Sequence, residues 1–287
     1  MLNIGLIGKT ANLEPHALEI RKNTSVNIVG KSSVGSSTQL NSFHYSIPEF
    51  NRVELLERAD IILMDNSTPM PFKLMSDMVK KSKHIFCTEH PVLTIDECTE
   101  LVKLSNESGS IVQVTNPYFY KPAIQWMNNN IQGPTFIEYS NFEAKGGASE
   151  SLYAMLLMML GITGISPKKI GAVTFPGYNN SKFSNVRLEF NDGSVISLSF
   201  GKLESLNDFK IRIYSDNRFV TFNFTQNTYL CDNKVIDLEK YSNANEFDYF
   251  IDTINKKVKK SSCIEDYLIA MHAVQKVNRK LQQFSDM

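Results

Sequence analysis

The residues with the clearest chemical meaning follow the first apolar strand, where a glycine turn leads into a helix. Gly8 stands at the first glycine position of a G-x-G-x-x-G dinucleotide turn, and Lys9 and Thr10 follow it directly. Such a turn needs glycines because the pyrophosphate approaches the backbone and the helix packs close to the strand. The second and third glycine positions hold Thr10 and Leu13. The pattern predicts a nucleotide-binding fold whose phosphate turn is obstructed, with weak or absent dinucleotide binding.

The same three residues also match the end of the P-loop motif of nucleoside triphosphatases. That motif needs a further glycine five residues before Gly8, and position 3 is Asn3, inside an apolar strand. The missing glycine makes a nucleoside triphosphatase the weaker interpretation.

The end of the second strand bears on the choice of nucleotide. In a dinucleotide site an Asp or Glu there accepts hydrogen bonds from the ribose hydroxyls. No acidic residue occurs between Ile20 and Pro48, and the strand ends in Lys31, Ser32 and Ser33. A cation and two hydroxyls suit a 2′-phosphate better than a free ribose, so any dinucleotide is expected to be NADP rather than NAD.

Composition narrows the function classes. The chain has 287 residues, with 30 basic and 30 acidic side chains, a length that favours two domains. No basic stripe indicates a nucleic acid partner, and no apolar run is long enough to cross a membrane. The four cysteines are scattered without a CxxC pair, which predicts reduced thiols and no metal site. With no secretory signal visible, we expect a cytoplasmic protein.

The order of elements predicts an α/β fold with two domains. Up to residue 116, strand-like runs alternate with helical patterns, which is typical of a Rossmann-like, doubly wound parallel sheet. The helix over Ile95–Ser108 is opened by a capping box formed by Thr94 and Glu97. From residue 117 to 287, strands separated by tight turns predict an α+β domain with a mostly antiparallel sheet.

In this order of segments the chain resembles the Gfo/Idh/MocA family, the group of glucose-fructose oxidoreductase and inositol dehydrogenase. The resemblance spans nearly the whole chain, and its motifs are weak one by one. They are the turn from Gly8 to Leu13 with His16, the tripeptide Glu89-His90-Pro91, the crossover Asn116-Pro117-Tyr118-Phe119-Tyr120-Lys121-Pro122-Ala123, Gly133-Pro134, and the ending Ser261-Ser262-Cys263-Ile264-Glu265-Asp266-Tyr267.

The resemblance implies a nicotinamide-dependent oxidoreductase that acts on a sugar or sugar-derived alcohol. In the family the tripeptide is Glu-Lys-Pro and its Lys lies by the nicotinamide; here that position is His90. An imidazole can still act as acid or base near neutral pH. The family's Asp and His, four residues apart on a helix, align with Gly147 and Ser151, and Ala154 occupies a further position that is often acidic.

The candidate site residues follow from these comparisons. His90 is the candidate acid or base, and Tyr120 and Lys121, after the crossover, are further candidates for the catalytic cleft. Packing is the alternative role for the tyrosines. The candidate cofactor residues are Gly8, Lys9, Thr10, Lys31, Ser32 and Glu89.

Two functions remain open at this point. The first is an oxidoreductase that binds NADP or NAD and a sugar-like small molecule. The alternative is a pseudo-oxidoreductase that keeps the architecture as a ligand-binding or partner-binding module. In either case the resemblance implies a homo-oligomer formed through the C-terminal sheet.

Overall fold

The chain forms two units that are built around separate sheets. The computed structural model describes residues 1–33, 47–65, 71–133, 135–144, 152–176, 182–203, 207–215, 217–241, 245–258 and 260–283. The first unit contains Met1–Asn116 and Asn245–Leu268, and the second contains Pro117–Ala244 and Ile269–Met287. The segment Asn245–Leu268 therefore belongs to the first unit, although it follows most of the second unit in sequence.

The first unit is built on a five-stranded parallel sheet with the order β2-β1-β3-β4-β5. Its strands are short apolar runs, buried along most of their length, as expected for a parallel sheet covered by helices. They are β1 (Leu2–Gly8), β2 (Val26–Ser33), β3 (Ile61–Met64), β4 (His84–Cys87) and β5 (Val112–Val114). The carboxyl ends of all five strands lie at one edge, which is where ligands bind in such sheets.

Helices connect these strands, as the sequence pattern predicts. They are α1 (Thr10–Ile20), α2 (Arg52–Arg58), α3 (Phe72–Lys80) and α4 (Ile95–Ser108). The Thr94 side chain accepts a hydrogen bond from the Glu97 N–H, and the Glu97 carboxylate accepts one from the Thr94 N–H, so the predicted capping box is present. Gly109 ends α4 in the left-handed conformation at φ 70°.

A late helix completes the core of the first unit. α7 (Glu246–Ile254) places Phe247 and Phe250 against Phe86 of β4, with ring centroids 5.6 and 5.4 Å apart. Both phenylalanines are buried in the cluster that contains the apolar residues of β1 and α1. This packing explains why the segment groups with the first unit.

The second unit contains an eight-stranded, mostly antiparallel sheet with the order β13-β12-β11-β10-β6-β9-β8-β7. Among the strand pairs that the structure describes in this sheet, only β6 and β9 run parallel. The strands are β6 (Phe136–Ala144), β7 (Lys169–Pro176), β8 (Lys182–Glu189), β9 (Val195–Leu203), β10 (Asp208–Ser215), β11 (Arg218–Asn223), β12 (Thr228–Cys231) and β13 (Lys234–Val235). The predicted fold class is therefore confirmed for both units.

The helices α5 (Pro122–Asn130) and α6 (Leu152–Thr163) belong to the second unit, and α8 (Ile264–Gln283) begins in the first unit and ends in the second. The run from Ala154 to Leu160 is entirely buried, as expected for a helix whose leucines and methionines fill a core. A short 3-10 helix, Glu239–Tyr241, follows β13. Among the described helices, none combines the length and the apolar character needed to span a membrane.

Candidate functional site

The glycine turn after β1 is closed by a carboxylate from the next strand of the sheet. Gly8 has φ +150°, and a Cβ at this position would lie 2.4 Å from the Cβ of Asp65. Asp65 follows β3 directly and is 1% exposed. Gly8 is therefore required here because Asp65 packs against the turn.

Asp65 accepts hydrogen bonds from two residues at the start of α1, Lys9 and Asn12. The backbone N–H of Lys9 donates to Asp65 Oδ2 at 3.0 Å, and the side-chain amide of Asn12 donates to both carboxylate oxygens at 3.3 and 3.2 Å. The N-terminus of a helix carries partial positive charge and free N–H groups, which is why pyrophosphates bind there. In this protein the anion at the N-terminus of α1 is the side chain of Asp65. A pyrophosphate bound at this turn would meet the Asp65 carboxylate.

The nearby His16 is affected by the same carboxylate. Burial lowers the pKa of His16 below its usual value, and the negative charge of Asp65 raises it in part. The net direction is downward, so this imidazole is neutral near pH 7.

A second carboxylate of the protein, from Glu49, lies at the end of β2. Its Oε2 lies 3.4 Å from Lys31 Nζ, and its two oxygens accept hydrogen bonds from the N–H and the hydroxyl of Ser33 at 2.6 and 2.9 Å. Two backbone hydrogen bonds, Lys31 to Pro48 and Phe50 to Lys31, hold this segment beside the strand. Thr10 Oγ1 lies 3.3 Å from Ser33 Oγ.

Glu49 changes the interpretation of Lys31 and Ser32 as a 2′-phosphate site. The sequence interval from Ile20 to Pro48 lacks an acid, but the first residue after it folds back onto β2. Lys31, which is 3% exposed, forms an ion pair with Glu49, so its positive charge is already balanced within the protein. Ser32 is buried beside it. The physical reason for preferring NADP over NAD is therefore lost.

His90 lies just beyond β4, at the carboxyl edge of the same sheet. Its ring stacks on Tyr267 with the centroids 5.9 Å apart, and the Tyr267 hydroxyl donates to the Pro91 carbonyl at 2.9 Å. Burial lowers the pKa of His90, and a hydrogen bond with the Thr115 backbone opposes this shift. The imidazole is therefore held in place and neutral near pH 7. The neighbouring Glu89 is exposed.

Sequence reasoning missed one unusual carboxyl group at this edge. Glu246, the first residue of α7, accepts hydrogen bonds from Thr115 Oγ1 at 3.0 Å and from the Asn116 N–H at 2.6 Å. Desolvation raises its pKa to about 7, although the hydrogen bonds from Asn116, Thr115 and Gln113 lower it. An acidic residue in the first turn of a helix was the only sequence signal, and such residues are common.

The remaining candidates lie in the second unit or outside the described residues. Tyr120 is buried, with its ring edge-to-face against Phe119 at 5.1 Å. Lys121 stands over aromatic rings at the start of α5. Gly147 and Ser151, aligned with the family's acid and base, lie outside the described residues, and Ala154 is buried in α6.

Comparison with known proteins identifies the fold. No family model and no curated protein sequence matches the chain. Solved structures do match. UDP-N-acetylglucosamine 3-dehydrogenase GnnA from Acidithiobacillus ferrooxidans is 17% identical with a TM-score of 0.80, over 99% of this chain and 98% of that one.

Two further structures extend this comparison. The WlbA dehydrogenase from Chromobacterium violaceum, in complex with NADH and UDP-GlcNAcA, is 12% identical with a TM-score of 0.76, over 98% and 94% of the two chains. A putative myo-inositol dehydrogenase from Sinorhizobium meliloti 1021 is 14% identical with a TM-score of 0.69, over 99% and 98%. The resemblance to the Gfo/Idh/MocA family is confirmed at the level of the fold.

Proposed function

We propose that this chain is a pseudo-oxidoreductase, a ligand-binding or partner-binding module that has the dehydrogenase fold but does not use a nicotinamide cofactor at its glycine turn. The observation that carries the proposal is the buried Asp65 carboxylate, which accepts the Lys9 N–H at the start of α1. This is the position where a dinucleotide would place its pyrophosphate.

The Asp65 carboxylate and a bound pyrophosphate would repel each other, because both are negatively charged. A phosphate oxygen about 4 Å from a carboxylate in a partly desolvated site is disfavoured by roughly 4 kcal/mol at an effective dielectric constant of about 20. That energy corresponds to an affinity roughly a thousandfold weaker. The second carboxylate, Glu49, removes the attraction that Lys31 would offer a 2′-phosphate, because it pairs with the Lys31 ammonium. Both effects favour the absence of tight NAD or NADP binding.

The test removes the carboxylate. Titrating NADH into the full chain and into Asp65→Ser, with nicotinamide fluorescence as the readout, should give affinity at least roughly tenfold tighter for the variant. Asp60→Asn is the matched control, because Asp60 accepts a backbone hydrogen bond from Asn3 and does not contact the turn. Equal NADH affinities for Asp65→Ser and the unaltered protein would show that Asp65 is not the obstructing group.

A second candidate function is alcohol oxidation with NAD or NADP, and the geometry of His90 favours it. A neutral imidazole fixed by Tyr267 and Thr115 at the carboxyl edge of the sheet has the protonation state that a general base needs. On this hypothesis His90→Ala should slow oxidation of a sugar alcohol by roughly a hundredfold or more. No NAD(P)H formation from a panel of sugars and inositols by the unaltered protein would exclude it.

We further propose that two copies of the chain associate through the open face of the second unit's sheet. On this face Phe136 stacks on Tyr214 at 5.7 Å and Phe142 on Phe183 at 5.6 Å, while Phe175 is 53% exposed. Exposed aromatic clusters of this kind are typical of interfaces. Sedimentation of the unaltered protein should give a dimer or larger species, and Phe175→Glu should shift it toward the monomer. A monomer at high micromolar concentration would refute the proposal.

The cysteines support a cytoplasmic location, which remains part of the proposal. None of the four, all of them among the described residues, forms a disulfide, and Cys87, Cys98 and Cys263 are buried. Buried thiols without disulfides are usual in reducing compartments. Fractionation of the native cells that recovers the chain outside the cytoplasm would contradict this location.

A further inference from the structure

The second unit contains a cavity that neither the glycine turn nor His90 explains. Its volume is about 750 Å³, within the usual range for small-molecule sites. Its walls are largely apolar or aromatic and include Phe224, Tyr229, Ile236 and Leu238, and its polar lining includes Lys121 and Glu239. All of these residues belong to the second unit, so the cavity is formed within that unit.

Lys121 is the unusual residue of this lining. Its ammonium lies 5.2 Å from the Tyr118 ring centroid, 5.8 Å from Phe209 and 5.2 Å from Phe224. Phe209 and Phe224 themselves stack with centroids 4.4 Å apart. Cation–π contacts of this kind hold an ammonium in place without neutralising its charge.

The positive charge of Lys121 has no anionic partner among the residues that the structure describes. None of the ion pairs formed there involves it, and its backbone rather than its ammonium makes the hydrogen bonds at the start of α5. A cation that is held by rings at the wall of an apolar cavity is an attractive partner for an anion, because a charge-assisted pair is stronger in such surroundings than in water.

The chemistry of the lining defines the ligand class. We propose that this cavity binds a small carboxylate with an apolar body, with the carboxylate paired to Lys121 and the apolar body against Phe224, Tyr229 and Leu238. A multiply charged phosphate is a poor fit, because the lining offers one Lys and also contains the acidic Glu239. The inference does not rest on the proposed function, since nucleotide binding at the first unit and carboxylate binding here are measured separately.

The test compares three probes of one shape. Titration calorimetry of the full chain with octanoate, octanol and octylamine should show saturable binding for octanoate and much weaker binding for the other two. Lys121→Gln keeps most of the side-chain length and removes the charge, so it should weaken octanoate binding by roughly tenfold to a hundredfold. Lys240→Gln is the matched control, because Lys240 stands over the Tyr241 ring at 5.4 Å but does not line the cavity.

Two further variants keep the proposal falsifiable if Lys121→Gln folds poorly. Thr228→Trp, at an exposed lining position in β12, should fill the cavity and abolish octanoate binding. Lys121→Glu should reverse the preference, so that octylamine binds more tightly than octanoate. Circular dichroism melting would verify that each variant folds. Octanoate binding unchanged in Lys121→Gln or in Thr228→Trp, or equal affinity for octanol and octanoate, would overturn the proposal, as would the absence of saturable octanoate binding.

Discussion

Glu246 links the end of β5 to the start of α7, and its protonation should make the stability of the protein depend on pH. Desolvation raises its pKa from the usual 4.5 to about 7 in the folded protein. Because the folded state holds the proton more tightly than the unfolded state does, protonation stabilises the fold. This contribution is complete below about pH 4.5 and is lost as the pH rises through about 7.

The size of the effect follows from the two pKa values. Between pH 5 and pH 8 the linkage relation gives a loss of about 2 to 3 kcal/mol in the free energy of unfolding. The Glu246 residue is not completely enclosed, so solvent screening makes this the upper value. Glu246→Gln replaces the carboxyl group by an amide that does not titrate, and the loss should disappear in the variant.

The assay is urea unfolding of both proteins at pH 5 and pH 8, with the difference between the two pH values as the readout. His16, His84 and His90 have lowered pKa values and favour the folded state as the pH rises, but they are present in both proteins and cancel in the comparison. Glu54→Gln, an exposed substitution on α2, is the control. The same pH dependence in the unaltered protein and Glu246→Gln would refute the assignment.

Three further predictions concern the first unit. Thr94→Ala removes the capping box of α4 and should lower the free energy of unfolding by about 1 kcal/mol, measured in urea; no change would contradict the capping role. Gly8→Ala forces a Cβ against Asp65 and should cost at least roughly 2 kcal/mol, seen as a lower melting temperature, whereas an unchanged melting temperature would mean that the turn is not tightly packed. In the Asp65→Ser background, where NADH is expected to bind, Lys31→Ala should leave the ratio of NADPH to NADH affinity unchanged, because Glu49 already neutralises Lys31; a changed ratio would restore Lys31 as a phosphate ligand.

Local patterns predicted most of the fold. The predicted bounds of α4, Ile95–Ser108, agree with the structure, because a capping box marks the start of this helix and Gly109 marks its end. The hairpin of β12 and β13 was missed. Its strands are short and contain no fully buried residue, so they lack the alternation that identifies a half-buried strand.

Contacts between distant parts of the chain could not be predicted in the same way. Asp65 lies 56 residues after Lys9, which donates to it, and Glu246 lies 131 residues after Thr115. Nothing in the sequence around either acid distinguishes it from a surface carboxylate. Glu49 lies one residue beyond the interval that lacks acidic residues. Its position beside Lys31 depends on the pairing of its segment with β2, which the sequence does not reveal.

The placement of α7 also depends on contacts between distant parts of the chain. Its amphipathic pattern predicts a helix with one buried face, which the structure confirms. The pattern does not state which sheet that face covers. Phe247 and Phe250 pack on Phe86 of the first unit, so a segment that follows the second domain in sequence belongs to the first in space.

If the Asp65 carboxylate occupies the position of a dinucleotide pyrophosphate, the unaltered chain should not bind NADH tightly. Titration calorimetry of the full chain with NADH at pH 7 measures this binding directly. We expect no saturable binding up to roughly 1 mM NADH, which corresponds to a binding free energy weaker than about 4 kcal/mol. A dissociation constant of about 10 μM or tighter would contradict it.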